Sequence, residues 1–390
     1  MGRLRAVFRS VDGGENDPVF EAPWTDRARH RYRKAYWRLR RARQAPEAVA
    51  TYGPEVERLW GVPLAHQQRQ LVLLALRYGF DAEMYYRYRL YRLDDLRDAS
   101  LYVPRRMNRV LRRYLREHTQ PDLSFNDKRQ FAARCRDAGL PVAPVIAEFD
   151  DGRIAWGSDA AEETLPPRDL FSKPVALQAG QGASRWRWDG TRYLGEDDVR
   201  YDPEALVVHL RDLSRTHPYM LQPRLVNVGV LDDLTAGALA TLRITTTKVP
   251  GSDSELIGAF LRMSTTDGPV DNFDQGGLAA RVEPETGALS VAIRKPLHLA
   301  ANDYTHHPVS GSPIVGTLIP QWNEALALAL EAHRRLDVTV IVGWDLAVTT
   351  DGVLFIEANS SPCARAGQQP GLHPYGATAY TRTHLAVLDV

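Results

Sequence analysis

Three oxygen-bearing side chains in the stretch VGWDLAVTTDGVLFIEANSSP have the types and the spacing of a metal site. Asp345 and Glu357 stand in two apolar runs joined by a Thr-Asp-Gly turn, and Asn359 follows Glu357 by two positions. If the runs pair as a hairpin with a three-residue loop, Asp345 lies directly opposite Glu357, and Asn359 points to the same face. Opposed carboxylates repel each other unless a cation lies between them. The stretch therefore predicts a Mg²⁺ site, because carboxylate and amide oxygens suit a hard cation; the alternative is a solvent-exposed hairpin face with unpaired acids.

A glycine-rich loop offers phosphate-binding groups to accompany that metal. In FSKPVALQAGQGASRW, Lys173 ends an apolar run and precedes Pro174, which restricts its backbone. The main-chain N–H groups of the following loop are suited to close over phosphates. The loop residues are Gly180, Gln181, Gly182, Ala183 and Ser184. The chain has no GxxxxGK[ST] motif and no complete dinucleotide fingerprint, so a flexible hairpin with an ordinary surface lysine stays open as the alternative.

Arg243 is a further candidate for a functional residue, because it alternates with Leu242 and Ile244 in a β-like run. Alternation places it on the polar face of a sheet. A fixed cation there can stabilise the charge that develops on a transferring phosphoryl group.

Two further groups of residues indicate chemistry less strongly. Asn272 with Gly276 and Gly277 predicts either a tight turn or a substrate-facing loop. His306 and His307 belong to a loop, and a histidine pair without a third ligand does not indicate a metal site.

The elements that must position these side chains alternate between helical and extended patterns over the last two thirds of the chain. Helices are predicted at 126–139, 201–215 and 318–336, and extended runs at 170–177 and 218–226. Turn signals separate them. The pattern indicates an α+β fold for this part of the chain.

The first 120 residues differ from the rest in charge. They hold 25 Lys and Arg against 14 Asp and Glu, a net charge of +11, which leaves −10 for the remainder. The pattern there is mainly helical, and Arg105, Arg109, Arg112 and Arg116 fall on one helical stripe. We interpret the stripe as a solvated face or one docked on the acidic remainder, with binding of phosphates, nucleic acid or a membrane surface as the alternative.

A second basic stretch, RARHRYRKAYWRLRRAR at 27–43, interleaves arginines with aromatic residues. The aromatic residues are Tyr32, Tyr36 and Trp37. They are predicted to be core residues in preference to base-stacking ones.

Composition excludes membrane and disulfide-rich classes of protein. The chain has 390 residues, 44% of them hydrophobic and 25% charged, as in globular proteins with two or three structural units. No apolar run approaches the length of a membrane span, and the N-terminus lacks the apolar segment of a secretory signal, so the expected location is the cytoplasm. Cys135 and Cys363 lack the paired spacing of a zinc site and are predicted to be packed thiols.

Seven sequence blocks follow one another in order between Asn126 and Pro362. They are NDK, FSKP with the glycine-rich loop, YMLQPRL, TLRITT, DNFDQGGLAARVEPETGAL, HPVSGSPIVG and GWDLAVTTDGVLFIEANSSP. In this order the blocks resemble the ATP-grasp superfamily and, within it, the sugar-transfer associated ATP-grasp family. The resemblance implies an ATP-grasp fold, in which two α+β subdomains clasp ATP, preceded here by the basic helical region.

The same resemblance implies that ATP is bound by particular residues. Lys128 and Lys173 are expected to contact the nucleotide phosphates together with the loop at 180–184, and Arg243 is expected to face the reacting phosphate. Lys173 and Arg243 are thus the expected catalytic residues.

The resemblance further implies ligands for Mg²⁺ and for the adenine ring. The metal ligands are expected to be Asp345, Glu357 and Asn359. The segment that includes Gln222 and Leu225 is expected to line the adenine pocket by main-chain contacts.

We expect four parts in the chain. They are a basic, mainly helical region at 1–120, a first subdomain with the glycine-rich loop at 121–217, a second subdomain with the Mg²⁺ site at 218–365, and a C-terminal tail at 366–390.

The activity that these expectations favour is an ATP-dependent carboxylate–amine ligase, which forms an amide or peptide-like bond through an acyl phosphate and releases ADP and phosphate. The expected partners are small-molecule or peptide carboxylates and amines, with an anionic substrate or partner at the basic N-terminal region. A phosphotransferase that uses the same ATP site, and a non-catalytic nucleotide-dependent binding protein, are the alternatives.

Overall fold

A computed structural model describes the greater part of the chain. The described residues are 35–119, 121–157, 165–175, 177, 180–196, 198–271, 273, 276–294 and 303–387. Residues 27–34 of the basic stretch, Tyr32 among them, and Asn272 lie outside the described residues.

Helices form the N-terminal region, as the sequence predicts. Proline stands at the start of the first helix, and left-handed glycines follow the first two: Gly61 has φ 66° and Gly79 has φ 71°. After a helical stretch at 35–43, the described helices are α1 (Ala45–Trp60), α2 (Leu64–Tyr78), α3 (Ala82–Arg87) and α4 (Arg105–Thr119).

Aromatic rings dominate the core of this helical region. The ring centroids of Tyr85 and Tyr86 lie 5.0 Å apart, and the Tyr86 hydroxyl donates to Gln67 Oε1 at 3.0 Å, so the buried hydroxyl is satisfied. Tyr36 is not part of this core, because 52% of its surface is exposed. Its predicted burial is therefore wrong, and Trp37 beside it is only partly buried.

The first sheet follows helix α5 (Lys128–Asp137), which Asp127 caps by accepting from the main-chain N–H of Arg129 at 2.8 Å. Helix α6 (Pro203–Ser214), within the predicted range 201–215, packs on this sheet through Leu206 and Leu210. The strands are β1 (Ala147–Asp150), β2 (Arg153–Gly157), β3 (Leu170–Pro174), β4 (Ser184–Trp188), β5 (Tyr193–Leu194), β6 (Arg200–Tyr201) and β7 (Tyr219–Pro223).

The order of strands in this sheet is β2-β1-β7-β3-β4-β5-β6. The extended runs predicted at 170–177 and 218–226 form β3 and β7. Strand β7 lies between β1 and β3 and hydrogen bonds to both. The predicted boundary between residues 217 and 218 therefore falls inside this sheet, ahead of its last strand.

A second, antiparallel sheet carries the charged candidates. Its apolar face holds alternate residues such as Leu242, Ile244 and Trp344, and it packs on helix α7 (Trp322–Arg335). The strands are β8 (Thr241–Thr247), β9 (Glu255–Met263), β10 (Leu278–Val282), β11 (Leu289–Arg294), β12 (Ile341–Thr349) and β13 (Gly352–Asn359). Their order is β11-β10-β9-β8-β12-β13. Helices and mainly antiparallel sheets together confirm the predicted α+β class.

Two predicted helices begin later than the sequence pattern indicates. Helix α7 starts at Trp322 instead of 318, because Pro320 disfavours a helical residue before it and Gln321 is left-handed at φ 52°. The helix predicted from residue 126 begins at Lys128, after the Asp127 cap.

The hairpin of β12 and β13 has the predicted pairing of Asp345 with Glu357, but it reaches that pairing differently. Thr349 pairs with Gly352, so the loop has two residues and the predicted three-residue loop is wrong. A β-bulge between Asp345 and Leu346 then shifts the register by one residue. The bulge restores the opposition that the longer loop was expected to give.

The C-terminal residues predicted as a tail are folded. Helices α8 (Ala364–Gln368) and α9 (Ala379–Val387) lie between the helical region and the second sheet. Gln368 is fully buried, accepts from the Val103 N–H at 2.8 Å and donates to the Val103 carbonyl at 3.0 Å. The segment thus joins the first and second parts of the molecule.

No helix among the described residues combines the length and the apolar character that crossing a bilayer requires. Cys135 is buried, as predicted, whereas Cys363 is exposed, so its predicted packing is wrong.

Candidate functional site

Arg243, Asp345 and Glu357 lie side by side on three neighbouring strands. Asp345 on β12 pairs with Arg243 on β8 and with Glu357 on β13. Because paired residues of a sheet project to the same side, the three side chains form a row on the face opposite the apolar core. The structure thus brings together residues that lie up to 114 positions apart in the chain.

Asp345 is buried and is held by two arginines. Its two carboxylate oxygens accept from Arg243 Nε and from Arg243 Nη2, the latter at 2.8 Å, and Arg262 Nη2 donates to the same Oδ2 at 3.0 Å. Burial acts to raise the pKa of Asp345, but the two guanidinium groups outweigh it and hold this pKa well below its ordinary value. Asp345 is therefore a carboxylate at every physiological pH.

Arg262 and its neighbours complete this network, although none of them is predicted from the sequence. Arg262 on β9 donates to Thr241 Oγ1 from Nε at 2.8 Å, and its Nε lies 3.5 Å from Asp271 Oδ2. Asp271 is buried and accepts from the Thr241 N–H at 3.0 Å. The signal was present, because Arg262 alternates with apolar neighbours in a β-like run just as Arg243 does.

Two lysines approach the other end of the row. Lys128 Nζ lies 3.9 Å from Glu357 Oε2. Lys173, at the end of β3, is buried, and its burial lowers its pKa to about 8 although Glu357 favours the charged form. Burial and the neighbouring Asp345 carboxylate raise the pKa of Glu357, and the two lysines oppose this rise. Both lysines that the resemblance implied are thus part of the cluster.

Lys128 also fixes the start of the glycine-rich loop. Its ammonium group lies 3.4, 3.2 and 3.0 Å from the main-chain carbonyl oxygens of Pro174, Val175 and Leu177. These carbonyls belong to the segment that leaves β3 towards the loop. Lys128 therefore links helix α5, the loop and Glu357.

The loop at 180–184 needs its glycines. Gly180 and Gly182 both have φ 72°, in the left-handed region that favours glycine. A Cβ atom at Gly180 would lie 2.5 Å from Val270 Cγ2, and one at Gly182 would lie 2.9 Å from the Tyr219 hydroxyl. The loop thus approaches Val270, the residue before Asp271, and reaches the neighbourhood of the charged network.

The charges of this cluster do not cancel. Four cations face three acids, which leaves a net charge of +1 when all are ionised. The cations are Lys128, Lys173, Arg243 and Arg262, and the acids are Asp271, Asp345 and Glu357. Because a partly buried excess of positive charge attracts anions, the arrangement suits a polyphosphate.

The oxygen atoms of the site fit a magnesium ion. Asp345 and Glu357 are paired across β12 and β13, and the Asp345 carboxylate raises the pKa of Glu357, so a proton or a cation between the two carboxyl groups is favoured. Asn359 Oδ1 accepts from the Ser361 N–H at 2.9 Å and keeps a second lone pair. No group of three His, Cys, Asp or Glu side chains among the described residues is suited to a metal. An ion here would accordingly rely on Asn359 and on oxygens brought by its ligand, as Mg²⁺ commonly does.

Strand β7, which pairs with the strand of Lys173, leads to the two residues expected at the adenine ring, Gln222 and Leu225. Gln222 on β7 is buried, and its side-chain amide donates to the main-chain carbonyl of Pro144 at 3.0 Å, so it fastens β7 to the segment before β1. Leu225 is half-buried in the segment that follows β7. Their predicted role in adenine binding stays a prediction.

The histidine pair is not part of the cluster. His307 is buried, and its Nε2 lies 2.9 Å from the Ser264 carbonyl oxygen. Burial lowers its pKa, so it is a neutral core residue. His306 is exposed beside Thr305.

Comparison with known proteins relates this arrangement to one family. A family model described as sugar-transfer associated ATP-grasp matches residues 107–376. This match confirms the family predicted from the seven sequence blocks. A search of curated protein sequences finds no match.

Solved structures similar to the chain have low sequence identity to it. An N5-carboxyaminoimidazole synthase from Aspergillus clavatus is 11% identical, with a TM-score of 0.31, over 61% of this chain and 44% of that one. D-alanyl-alanine synthetase A from Vibrio cholerae is 10% identical, with a TM-score of 0.39, over 68% of this chain and 64% of that one. A D-alanine–D-alanine ligase from Bacillus anthracis is 13% identical, with a TM-score of 0.38, over 68% and 66%. The chain spans less than half the length of the first of these proteins.

Proposed function

We propose that this chain, which belongs to the sugar-transfer associated ATP-grasp family, is an ATP-dependent carboxylate–amine ligase that works through an acyl phosphate. The observation that carries the proposal is the row of Arg243, Asp345 and Glu357 beside Lys128 and Lys173. This row places two carboxylates, which can act as oxygen ligands, beside an excess of fixed cations. Such a site holds the phosphates of ATP and neutralises charge that moves during phosphoryl transfer.

Lys128, Lys173 and the glycine-rich loop have the positions needed to bind the nucleotide. Lys173 lies at the end of β3 and Lys128 touches the segment that leads into the loop. When phosphates replace the carbonyl oxygens around Lys128, the loop at 180–184 is free to close its N–H groups over them. The two lysines then supply point charges at the β and γ phosphates.

Arg243 is the residue suited to the developing charge. Asp345 holds its Nε and Nη2, so the guanidinium plane is fixed before the reaction begins. A fixed donor needs no reorganisation when charge builds up on the γ-phosphoryl group. Arg262 donates to the same Oδ2 of Asp345 as Arg243 and thereby helps to position Arg243.

Asp345, Glu357 and Asn359 are the residues that would hold Mg²⁺, which when bound neutralises phosphate oxygens and orients them. Glu357 is the ligand with the greatest freedom, because the arginines occupy most of the lone pairs of Asp345.

The proposed reaction has two steps. An oxygen of the substrate carboxylate attacks the γ-phosphorus of ATP, and the bond from that phosphorus to the bridging oxygen breaks, which releases ADP. The amine nitrogen then attacks the acyl carbon and loses a proton, and the C–O bond to the phosphate breaks. One carboxylate oxygen therefore leaves in the inorganic phosphate.

The test begins with the small molecule that the purified protein retains together with ATP, identified by mass spectrometry. That molecule is prepared with oxygen-18 in its carboxylate and incubated with ATP and Mg²⁺. The expected products are ADP and phosphate that carries the label.

Four other outcomes would overturn the proposal. Formation of AMP and pyrophosphate, or amide formation with no label in phosphate, contradicts the acyl-phosphate route. Phosphate retained on the product indicates the phosphotransferase alternative. Absence of turnover with a bound pair of ligands indicates a binding protein, in which the basic N-terminal region would recognise an anionic partner.

A further inference from the structure

Exposed apolar side chains are concentrated on the outer helices of the N-terminal region. Leu39 is 52% exposed, Leu73 47% and Leu76 42%, and Tyr36 precedes Leu39 by one turn. Single exposed leucines are common on protein surfaces, but several together on neighbouring helices indicate an interaction surface.

On α2 the exposed leucines share a face with arginines. Arg69, Leu73 and Arg77 follow one another at spacings of four residues, and Leu76 lies one turn from Leu73. All four are exposed, whereas Leu71 and Leu74 on the opposite face are buried in the aromatic core. The inner face of α2 is therefore apolar and packs on the core, whereas its outer face carries both leucines and arginines.

The helical stretch at 35–43 extends this face. Arg38 Nη1 donates to the Leu76 carbonyl at 3.1 Å, and Arg41 hydrogen bonds to the Gly79 carbonyl, so the stretch lies across the end of α2. The exposed Leu39 follows Arg38 on this stretch. Exposed Arg40 lies 4.9 Å from the centre of the Trp37 ring. The surface formed by Leu39, Arg40, Arg69, Leu73, Leu76 and Arg77 is called the outer basic face below.

No acid interrupts the sequence segments that build the outer basic face. Residues 35–46 contain four arginines and residues 60–80 contain two, and neither segment contains Asp or Glu. Residues 27–34, which precede them in sequence, add five Arg and Lys and again no acid. The surface therefore combines apolar side chains with the positive charge of Arg40, Arg69 and Arg77.

Other residues attach the helical region to the rest of the molecule. Arg87 Nη1 donates to Gln369 Oε1 at 3.0 Å, and the Tyr102 hydroxyl donates to the Leu372 carbonyl at 3.0 Å. Arg89 forms an ion pair with Asp303. The outer basic face is thus not needed for the docking of the helical region on the C-terminal segment.

The mixture of apolar and basic residues on the outer basic face favours one kind of binding partner over others. A second copy of the chain would bring like charges together across a two-fold axis, which is unfavourable. A nucleic acid would neutralise the arginines but leave the leucines against water and phosphate. An anionic lipid bilayer accepts both, since leucines and aromatic rings enter the interface while arginines contact the headgroups.

We propose that the outer basic face binds the surface of an anionic membrane without spanning it. Binding of this kind uses the apolar area and the charge together, so it requires acidic lipid and weakens when salt screens the arginines. The proposal does not depend on the ligase chemistry.

The experiment is cosedimentation of the full chain with vesicles of phosphatidylcholine, alone or with about 30% phosphatidylglycerol as the anionic lipid. We expect binding to the anionic vesicles only, and a fall in binding as salt rises. The pair R69Q/R77Q should lower the partition coefficient about thirtyfold. The pair L73S/L76S should lower it about tenfold or more, because the leucines lose their burial in the interface.

Matched controls come from helix α6, where Val208 is 55% exposed and Arg211 is also exposed. V208S and R211Q should bind vesicles like the original chain. All the substituted residues are exposed, so thermal melts should be unchanged and serve as the folding check.

The following outcomes would contradict the proposal. Failure to bind anionic vesicles does so, as does binding that the R69Q/R77Q and L73S/L76S pairs leave unchanged. Self-association that L73S/L76S abolishes assigns the face to a second copy. Salt-sensitive binding to duplex DNA in the absence of vesicle binding assigns it to nucleic acid.

Discussion

Arg243 and Asp345 face each other across β8 and β12, joined by two hydrogen bonds between buried side chains. Arg262 completes the arrangement from β9, so one carboxylate carries three guanidinium hydrogen bonds. A buried ion pair adds little net stability as a unit, but removal of one partner leaves an uncompensated charge. Removal of the Asp345 carboxylate is therefore expected to lower the stability of the fold in addition to its effect on the reaction.

Asp345→Asn should therefore destabilise the fold as well as abolish turnover. The substitution leaves the buried Arg243 guanidinium without its counterion and leaves Arg262 with Asp271 alone, so we expect the free energy of unfolding to fall by about 3–5 kcal/mol. Urea denaturation measures it. Asp351→Asn, at the exposed turn of the same hairpin, should change the value by less than about 0.5 kcal/mol. An unchanged urea midpoint for Asp345→Asn would contradict the proposed network.

Glu357→Gln should lower turnover strongly and leave the stability of the fold almost unchanged. Glu357 is partly exposed and makes no bond to Arg243 or Arg262 in the described contacts, so the fold should tolerate the change. Turnover of ATP should fall by about two orders of magnitude or more, since metal-held phosphate geometry is lost. The measurement is ADP release against Mg²⁺ concentration, with Glu324→Gln on α7 as the control. Full turnover in Glu357→Gln would remove Glu357 from the metal site.

Lys173 should make nucleotide affinity depend on pH. Its pKa in the free protein is lowered to about 8 by burial, so the ammonium charge that attracts phosphate is complete below about pH 7 and is lost as the pH rises through 8. The dissociation constant for ATP should rise above about pH 8, by up to about tenfold per pH unit. Calorimetry in two buffers should show proton uptake on binding in that range.

Lys173→Arg provides the control for this pH dependence. Arginine stays charged at all these pH values, so the inflection near pH 8 should disappear even if the affinity itself is weaker. A wild-type affinity that is flat up to pH 9.5, with no proton uptake, would assign the phosphate contact to another group.

Arg243 should matter more for the rate than for ATP binding. A group that interacts mainly with developing charge lowers kcat when it is removed and leaves ground-state affinity nearly intact. We expect this pattern for Arg243→Gln and a smaller loss of kcat for Arg262→Gln. Because Arg262 acts by positioning Arg243 through Asp345, the double variant should lose less than the product of the two effects. Independent, multiplicative losses would show that Arg262 does not position Arg243.

Arg112 and Arg116 on α4 distinguish docking from anion binding. Arg112 Nη1 lies 3.5 Å from the Pro362 carbonyl oxygen at the start of the C-terminal segment, whereas Arg116 is exposed. Arg112→Glu should lower the melting temperature by several degrees, with little change in the salt dependence of substrate binding. Arg116→Glu should leave the melting temperature unchanged. Steeply salt-dependent substrate binding that Arg116→Glu abolishes would instead assign this stripe to the substrate.

The sequence was informative where a residue's role depends on alternation and short-range pairing. Asp345, Glu357 and Arg243 stand out because each interrupts an apolar run, and hairpin geometry alone puts Asp345 and Glu357 on one face. Arg243 and Arg262 meet the same criterion, but their contacts with Asp345 depend on the pairing of β8 with β12, a long-range pairing that no local pattern encodes. Alternation identifies candidates, and tertiary pairing decides which of them meet.

Other differences from the sequence analysis have equally specific causes. The turn of the hairpin is shorter than expected, and a bulge, which has no reliable sequence signature, compensates for it. The residues after 365 contain no long periodic stretch, so they resemble a tail, although their burial comes from contacts with Val103, Tyr102 and Asn108 far away in the chain. Tyr36 has an aromatic side chain, but the described residues leave about half of its surface exposed.

The placement of α8 and α9 imposes an order on assembly during protein synthesis. The ribosome makes the helical region first, but the residues on which Arg87, Tyr102 and Asn108 dock are made after every strand of both sheets. The helical region has an aromatic core of its own, but these contacts can form only after residues 364–387 have been made. A nascent chain stalled before residue 364 therefore lacks the segment that joins the helices to the second sheet.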